Sequence, residues 1–299
     1  MKLSVVIPTL GRPALLARAL DRLEGQRVFE VLVVADAREE HVDAVRAAAS
    51  GRARVLQAEA PGASAARNVG WRASRAALVL FLGDDILADP GLVSGHISWH
   101  EQHPEETVGV LGDVRWADEL HVTPFMRWLE DGIQFDYRRI DGREAGWGRF
   151  YTANVSLKRS LLERAGGFDQ GCLPYLYEDL DLARRLDELG FRLLYNREAS
   201  GEHLHPVTPE SWRARAAEIA AAEHTFVRLH PEVSPYFHEL FSAASRWPQA
   251  RGRGVSLARV VPRRFPWLGR RVWESVDAYY RQQLAEPFLR AWREAEAAR

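Results

Sequence analysis

Apolar and polar positions alternate in a regular rhythm over the first 85 residues. Leu3 to Ile7, Phe29 to Val34, Arg54 to Leu56 and Leu78 to Leu82 are short apolar runs, each flanked by polar or turn-forming residues, and they read as buried strands. Between them Pro13 to Leu23, Glu39 to Ala49 and Ser64 to Ala73 carry apolar residues at helical spacing. Strand and helix in alternation predict a parallel, Rossmann-like α/β sheet, on which ligands bind beyond the carboxyl ends of the strands. Farther along, Gly148 to Leu157 and Phe191 to Tyr195 read as strands, and a helix runs from the acids at Glu178 to about Leu189. The last third is helical in pattern, from Pro209 to Leu229 and from Arg271 to Trp292, with breaks at Pro248, Pro262 and Pro266.

Composition narrows the function classes. A chain of 299 residues with 46% hydrophobic content can bury a substantial core. One cysteine, Cys172, excludes an internal disulfide framework and a cysteine-based zinc cluster, and fits a reducing, cytoplasmic setting. The N-terminal apolar run is too short for a signal peptide, and no run approaches the roughly 20 residues that span a bilayer. A formal net charge of -1 gives no electrostatic preference for nucleic acid. That total is uneven, because Arg246 to Arg299 holds 12 arginines and 5 acids, leaving 28 basic and 36 acidic residues elsewhere.

The strand ends carry the candidate chemistry. Pro8-Thr9-Leu10-Gly11-Arg12-Pro13 follows the first strand, Asp36 the second, and Gly83-Asp84-Asp85 the fourth. The first turn has one glycine where a dehydrogenase needs G-x-G-x-x-G, and the Walker pattern is absent. A nucleotidylyltransferase would show a G-x-G-T-R type loop in place of PTLGRP. A non-catalytic nucleotide-sugar-binding protein would keep the Asp36 and Asp85 region but would have no reason to keep Glu178-Asp179.

Taken together, S-V-V-I-P-T-L-G-R-P, E-V-L-V-V-A-D, G-A-S-A-A-R-N-V-G, L-F-L-G-D-D-I, G-G-F-D, Y-E-D-L-D-L-A-R-R-L and H-L-H-P resemble the ordered motifs of family-2 inverting glycosyltransferases. They span Ser4 to about Pro206. The resemblance implies a GT-A fold over residues 1–206, a nucleotide-diphosphate sugar donor of the UDP or GDP type, a divalent metal (Mn²⁺ or Mg²⁺), and inversion at the anomeric carbon. It implies a carbohydrate or lipid-linked acceptor, as in polysaccharide biosynthesis.

It also assigns roles. Asp85 is the implied metal ligand, which can stabilise the charge on a departing diphosphate, and Asp84 faces the ribose or sugar. Gly83 stands where relatives often have an aspartate, which puts a bidentate D-x-D clamp in doubt. Asp36, with Ala35 where relatives often have a second acid, is expected to accept hydrogen bonds from the base or ribose. Arg67 and Asn68, after the small residues Pro61 to Ser64, are expected at the base or diphosphate. Thr9 and Arg12 are further nucleotide-contact candidates, and Asn154 is expected near the donor sugar. Asp179 takes the place of the general base and Glu178 orients the acceptor or tunes Asp179, while Asp181 is read as structural. Helix capping explains one acid at that helix start, not three. His203 is the expected additional metal ligand, with His205 as the fallback. Trp116, Trp128 and Trp147 offer faces for an acceptor sugar, although most aromatics fill cores.

The region 207–299 lies outside the resemblance. Its basic residues and its aromatics (Trp247, Phe265, Trp267, Trp273, Tyr279, Tyr280, Phe288, Trp292) suit a helical cap, a homodimer interface, or peripheral contact with the inner face of an anionic membrane. Their number favours burial.

Overall fold

The computed structural model describes residues 1–263 and 265–298; Arg264 and Arg299 of the basic tail lie outside the described residues. The chain forms two compact units. One comprises Met1–Leu120 with Tyr137–His205, the other His121–Asp136 with Pro206–Arg299. The segment His121–Asp136 thus groups with the C-terminal helices, which a single boundary after Pro206 does not describe.

In the first unit the strands are β1 (Leu3–Thr9), β2 (Glu30–Ala35), β3 (Arg54–Gln57), β4 (Leu78–Leu82), β5 (Ile86–Ala88), β6 (Val108–Trp116), β7 (Asn154–Lys158) and β8 (Arg192–His203). They form a single sheet in the order β3-β2-β1-β4-β7-β6-β8-β5. The first four are parallel, β7 runs antiparallel between β4 and β6, and β6 pairs parallel with β8. Helices α1 (Pro13–Leu23), α2 (Val42–Ala49), α3 (Ala63–Ala73), α4 (Leu92–Gln102), α6 (Arg159–Ala165) and α7 (Glu178–Asp187) belong to the same unit. Every residue of β4 is buried, so its continuous Leu78–Leu82 run is that of a strand covered on both faces.

Three elements differ from the pattern. Helix α2 starts at Val42, not Glu39, because buried Glu39 accepts hydrogen bonds from the backbone of Gly11 and, at 2.9 Å, of His41. The approach to β7 contains a 3₁₀ turn at Trp147–Arg149, so the strand begins only at Asn154. Strand β8 continues from Asn196 to His203, past the polar residues that mask its periodicity, because a bulge between Gly112 and Val114 re-registers β6 onto it. The re-registered end pairs His203 with Trp116 of β6 and Ile86 of β5.

The second unit contains α5 (Pro124–Leu129), α8 (Pro209–Leu229), α9 (Tyr236–Ser245), α10 (Arg253–Ala258) and α11 (Leu268–Ala297). Thr208 and Ser211 form a capping box at the start of α8. Buried Glu223 of α8 accepts the amides of Phe237 and His238, both at 2.8 Å, at the otherwise uncapped start of α9. Trp128, Phe125, Tyr280, Phe288 and Trp292 are buried in this unit, and Trp128 donates to Asp277 at 2.9 Å.

Candidate active site

Strand order reverses around β1, with β2 on one side and β4 on the other, and a crevice therefore opens at the carboxyl ends of β1 and β4. Thr9 ends β1 there, and its hydroxyl donates to Asp84 Oδ2 at 2.7 Å. Arg12 reaches across from the turn before α1, with Nη1 on Asp85 Oδ2 at 2.7 Å and Nη2 on Asp84 Oδ1 at 2.5 Å. One half-exposed guanidinium thus neutralises two neighbouring buried carboxylates. Burial, and then the charge of Asp85, raise the proton affinity of Asp84 above the usual carboxylate range, against the pull of Arg12. A Cβ at Gly83 would come within 2.8 Å of Asp85 Oδ1 and 3.0 Å of Ile86 Cγ1, so a residue with a side chain there would crowd the Asp85 carboxylate.

His203 completes this cluster. Its Nε2 lies 3.6 Å from Asp85 Oδ2, and its ring packs edge-on against Trp116 at 5.2 Å. Burial lowers its pKa despite Asp85, which keeps a neutral imidazole suited to ligation. His205 is exposed, its ring centre 6.5 Å from that of His203. Among the described residues no group of three or more His, Cys, Asp or Glu side chains is placed to hold a metal ion. A carboxylate beside a neutral imidazole is nevertheless a donor set that Mn²⁺ or Mg²⁺ accepts when phosphate oxygens and water supply the remaining ligands.

Asp36 sits just past β2. It accepts from the Gly62 amide at 2.7 Å, from the Arg38 amide and Nε at 2.9 Å each, and from Arg38 Nη2 at 3.1 Å. Its burial is outweighed by these bonds and by the charge of Arg38, which hold its pKa below the ordinary value. Arg38 is half exposed and was not among the residues expected at the site; its sequence signal is the Asx-turn that an aspartate after a strand favours.

The second acid pair stands at the start of α7. Leu176 and Tyr177, both non-glycine residues with φ near +60°, turn the chain immediately before it, a conformation usually found where the surroundings enforce it. Buried Arg67 of α3 donates to Glu178 Oε1 at 2.7 Å. Arg67 Nε and Glu178 Oε2, also buried, have no hydrogen-bond partner among the described residues. Among the described residues Asp179 is bonded to no arginine. Burial first, then the neighbouring Glu178 charge, raise its proton affinity well above the carboxylate norm, against the more distant pull of Arg67. Asp181 is bound by Arg185 at 2.8 Å, and Arg185 also donates to the carbonyls of Ala165 and Gly167, tying α7 to the preceding glycine turn.

Two candidates do not face the crevice. Asn68 donates to the Phe168 carbonyl at 2.9 Å and accepts from the Phe168 amide at 3.0 Å and the Trp71 indole at 2.9 Å. It pins the Gly-Gly-Phe-Asp loop to α3. Asn154 is fully buried; its amide nitrogen donates to Ala199 and Asp113 carbonyls, and its oxygen lies 2.9 Å from His96 Nε2. Both side chains make their hydrogen bonds within the fold. Likewise, the small residues before α3 receive the protein's own loop. Gly62, at φ +110°, leaves room for the Pro174 carbonyl, 2.4 Å from where a Cβ would stand, and Ser64 donates to the Leu173 carbonyl at 2.6 Å. Of the three tryptophans, Trp116 and Trp128 are buried and Trp147 is half-buried.

The architecture is that of GT-A proteins: S. aureus TarS (residues 1–349) superposes with a TM-score of 0.54 at 14% identity, covering 100% of this chain and 92% of that one. The same S. aureus protein has been solved with UDP and with UDP-GlcNAc. The model of glycosyl transferase family 2 matches residues 4–165, and the chain belongs to that family. It is 31% identical to validoxylamine A glucosyltransferases from two subspecies of Streptomyces hygroscopicus, jinggangensis (strain 5008) and limoneus, over 81% of this chain. It spans 64% and 59% of the length of those relatives.

Proposed function

We propose that the protein transfers a sugar from a nucleotide-diphosphate donor to a hydroxyl acceptor with inversion, Asp179 acting as general base. The carrying observation is the asymmetry of the second acid pair, in which Glu178 holds Arg67 and Asp179 holds no cation among the described residues. A base must take a proton from a hydroxyl as it attacks the anomeric carbon and must still be ionised near neutral pH. The raised proton affinity of Asp179 suits that task.

Asp36 and Arg38 are the groups for base and ribose, with the exposed Arg38 able to exchange its hold on Asp36 for the nucleotide. Thr9 orients Asp84 toward the donor. Arg67 holds Glu178 in place, and the two unused atoms of that pair, Arg67 Nε and Glu178 Oε2, suit a sugar hydroxyl, which both donates and accepts. Asp85 and His203 would hold Mn²⁺ or Mg²⁺, which supplies Lewis-acid stabilisation of the diphosphate leaving group. Arg12 balances the two carboxylates.

A UDP or GDP donor, with a glucosyl donor tried first, is supported by the names of the relatives and by the UDP and UDP-GlcNAc complexes of the S. aureus protein. The acceptor is a carbohydrate or lipid-linked hydroxyl. A cytoplasmic site of action is supported by the single cysteine. No described helix is long and apolar enough to cross a membrane. Incubation with a panel of UDP- and GDP-sugars and Mn²⁺, with the product anomer read by NMR, tests the reading. Product of retained configuration would defeat the single displacement.

A further inference from the structure

The aromatic residues of the second unit fall into two groups. Trp273, Tyr280, Phe288 and Trp292 of α11 are buried, as an aromatic-rich helical unit requires. The segment before α11 is different. Trp247, Leu257, Val260, Phe265 and Trp267 are 40%, 49%, 76%, 53% and 67% exposed, and they supply five of the eleven large apolar side chains exposed among the described residues.

This exposure follows from how the segment packs. In α10 the buried residues are Gly254 and Ala258, and a Cβ at Gly254 would strike Ser275 of α11 at 2.8 Å from its Cβ. Leu257 is exposed on the same helix, and Val260 in the turn after it. Small residues therefore face the protein while bulky apolar ones face solvent, the reverse of an ordinary surface helix. The same holds at the start of α11, where Gly269 is buried against the Pro262 and Arg263 carbonyls and Trp267 stands clear. The backbone is nonetheless anchored: Gln282 of α11 accepts from the Ala250 amide at 2.7 Å and donates to the Pro248 carbonyl at 3.0 Å, and the Trp273 indole donates to the Val261 carbonyl at 3.2 Å. The exposed residues stand on a packed segment.

Charge identifies what covers them. From Arg246 to Trp273 the sequence has eight arginines and no acid, leaving 32 basic and 41 acidic residues for the rest of the chain. Arg246, Arg251, Arg253, Arg259, Arg270 and Arg271 are exposed among the apolar residues. A second copy would bring the same arginines against them. Nucleic acid offers bases to the aromatics but nothing to Leu257 and Val260. A bilayer with anionic headgroups offers hydrocarbon to the aliphatic and aromatic side chains and phosphate to the guanidinium groups, while repelling the acidic remainder.

We propose that the segment Trp247–Arg271 is a docking surface for an anionic lipid bilayer, with Phe265 and Trp267 entering the headgroup boundary and the arginines pairing with lipid phosphates. The proposal is independent of the catalytic reading, since it requires neither donor nor acceptor.

The test is flotation of the full chain with vesicles of phosphatidylcholine alone and of phosphatidylcholine with phosphatidylglycerol at about 7:3. Binding to the anionic vesicles should exceed binding to the neutral ones by roughly tenfold and weaken steeply with salt. A combined Phe265→Ser/Trp267→Ser variant should abolish the blue shift of tryptophan emission on vesicle addition. An Arg251→Gln/Arg253→Gln/Arg259→Gln variant, whose side chains are all exposed, should remove the anionic preference with unchanged Tm. Equal binding to both vesicle types, no binding to either, or variants that bind like the parent would overturn the proposal. So would light scattering that shows a dimer dissociated by Phe265→Ser/Trp267→Ser.

Discussion

Two of the adjacent acid pairs in the first unit, Asp84-Asp85 and Glu178-Asp179, each face one arginine, in different ways. At Asp84-Asp85 the guanidinium of Arg12 bridges both carboxylates and is itself half exposed. At Glu178-Asp179 the guanidinium of Arg67 is buried and bonds to the first acid. The first arrangement sets two carboxylates against a single cation that water can reach. In the second, Asp179 has no cation bonded to it among the described residues, and burial together with the charge of Glu178 raises its proton affinity. Both pairs are carboxylates, and Asp84 as well as Asp179 has its proton affinity raised by burial and by the adjacent acid; what differs is that Arg12 is shared by both members of its pair whereas Arg67 bonds to Glu178.

The strongest way to break this contrast is Asp179→Asn. It should lower the single-turnover rate by about 10² to 10⁴ while donor affinity, measured by calorimetry, stays nearly constant. Glu178→Gln and Asp181→Asn provide the comparison, and a near-normal rate in Asp179→Asn would remove the base from this position.

Next in size is Arg67→Met, which strands a buried carboxylate and should cost about 3–5 kcal/mol of stability in denaturant unfolding. Rescue by adding Glu178→Gln is expected, since the stranded charge is then gone. A stability loss that persists unchanged in the double variant would place the role of Arg67 in packing alone.

At the other pair the effects are smaller and appear in ligand binding. Asp85→Ala should remove the metal-dependent part of UDP or GDP affinity. Arg12→Ala should tighten Mn²⁺ binding in the absence of nucleotide by about tenfold, equivalent to about 1.4 kcal/mol, because the carboxylates lose their competing cation. Weaker Mn²⁺ binding in Arg12→Ala would show that the arginine helps to build the metal site instead of competing for it.

The finest distinction is in pH dependence. Asp179 must be ionised to act, so the rate should rise with pH through its raised pKa, above the ordinary carboxylate range. Glu178 raises that pKa and Arg67 lowers it. The acidic limb of the profile should therefore move to lower pH in Glu178→Gln and to higher pH in Arg67→Met. Shifts of the same sign in the two variants would show that another group governs the limb.

The alternation of apolar runs with helical spacing was enough to place β1 to β4, the helices between them, and hence the rim on which Thr9, Asp36, Asp84 and Asp85 stand. Those are local properties: a strand buried on both faces must be apolar throughout, and a helix of this sheet must show its period within a few turns. The two acid pairs were legible for the same reason, being adjacent in sequence and next to recognisable element ends. The polar second half of β8 was not legible, because a bulge on a different strand decides its pairing. Nor was the fate of Asn68 and Asn154, whose types and positions look like ligand contacts but whose hydrogen bonds go to segments 100 and 45 residues away. Only the tertiary structure could assign Arg12 to both members of one pair and Arg67 to a single member of the other. A side chain's period is written in its neighbours, whereas its partner is chosen by whatever the fold brings within about 3 Å, and at the two acid pairs that choice sets which carboxylates share a cation.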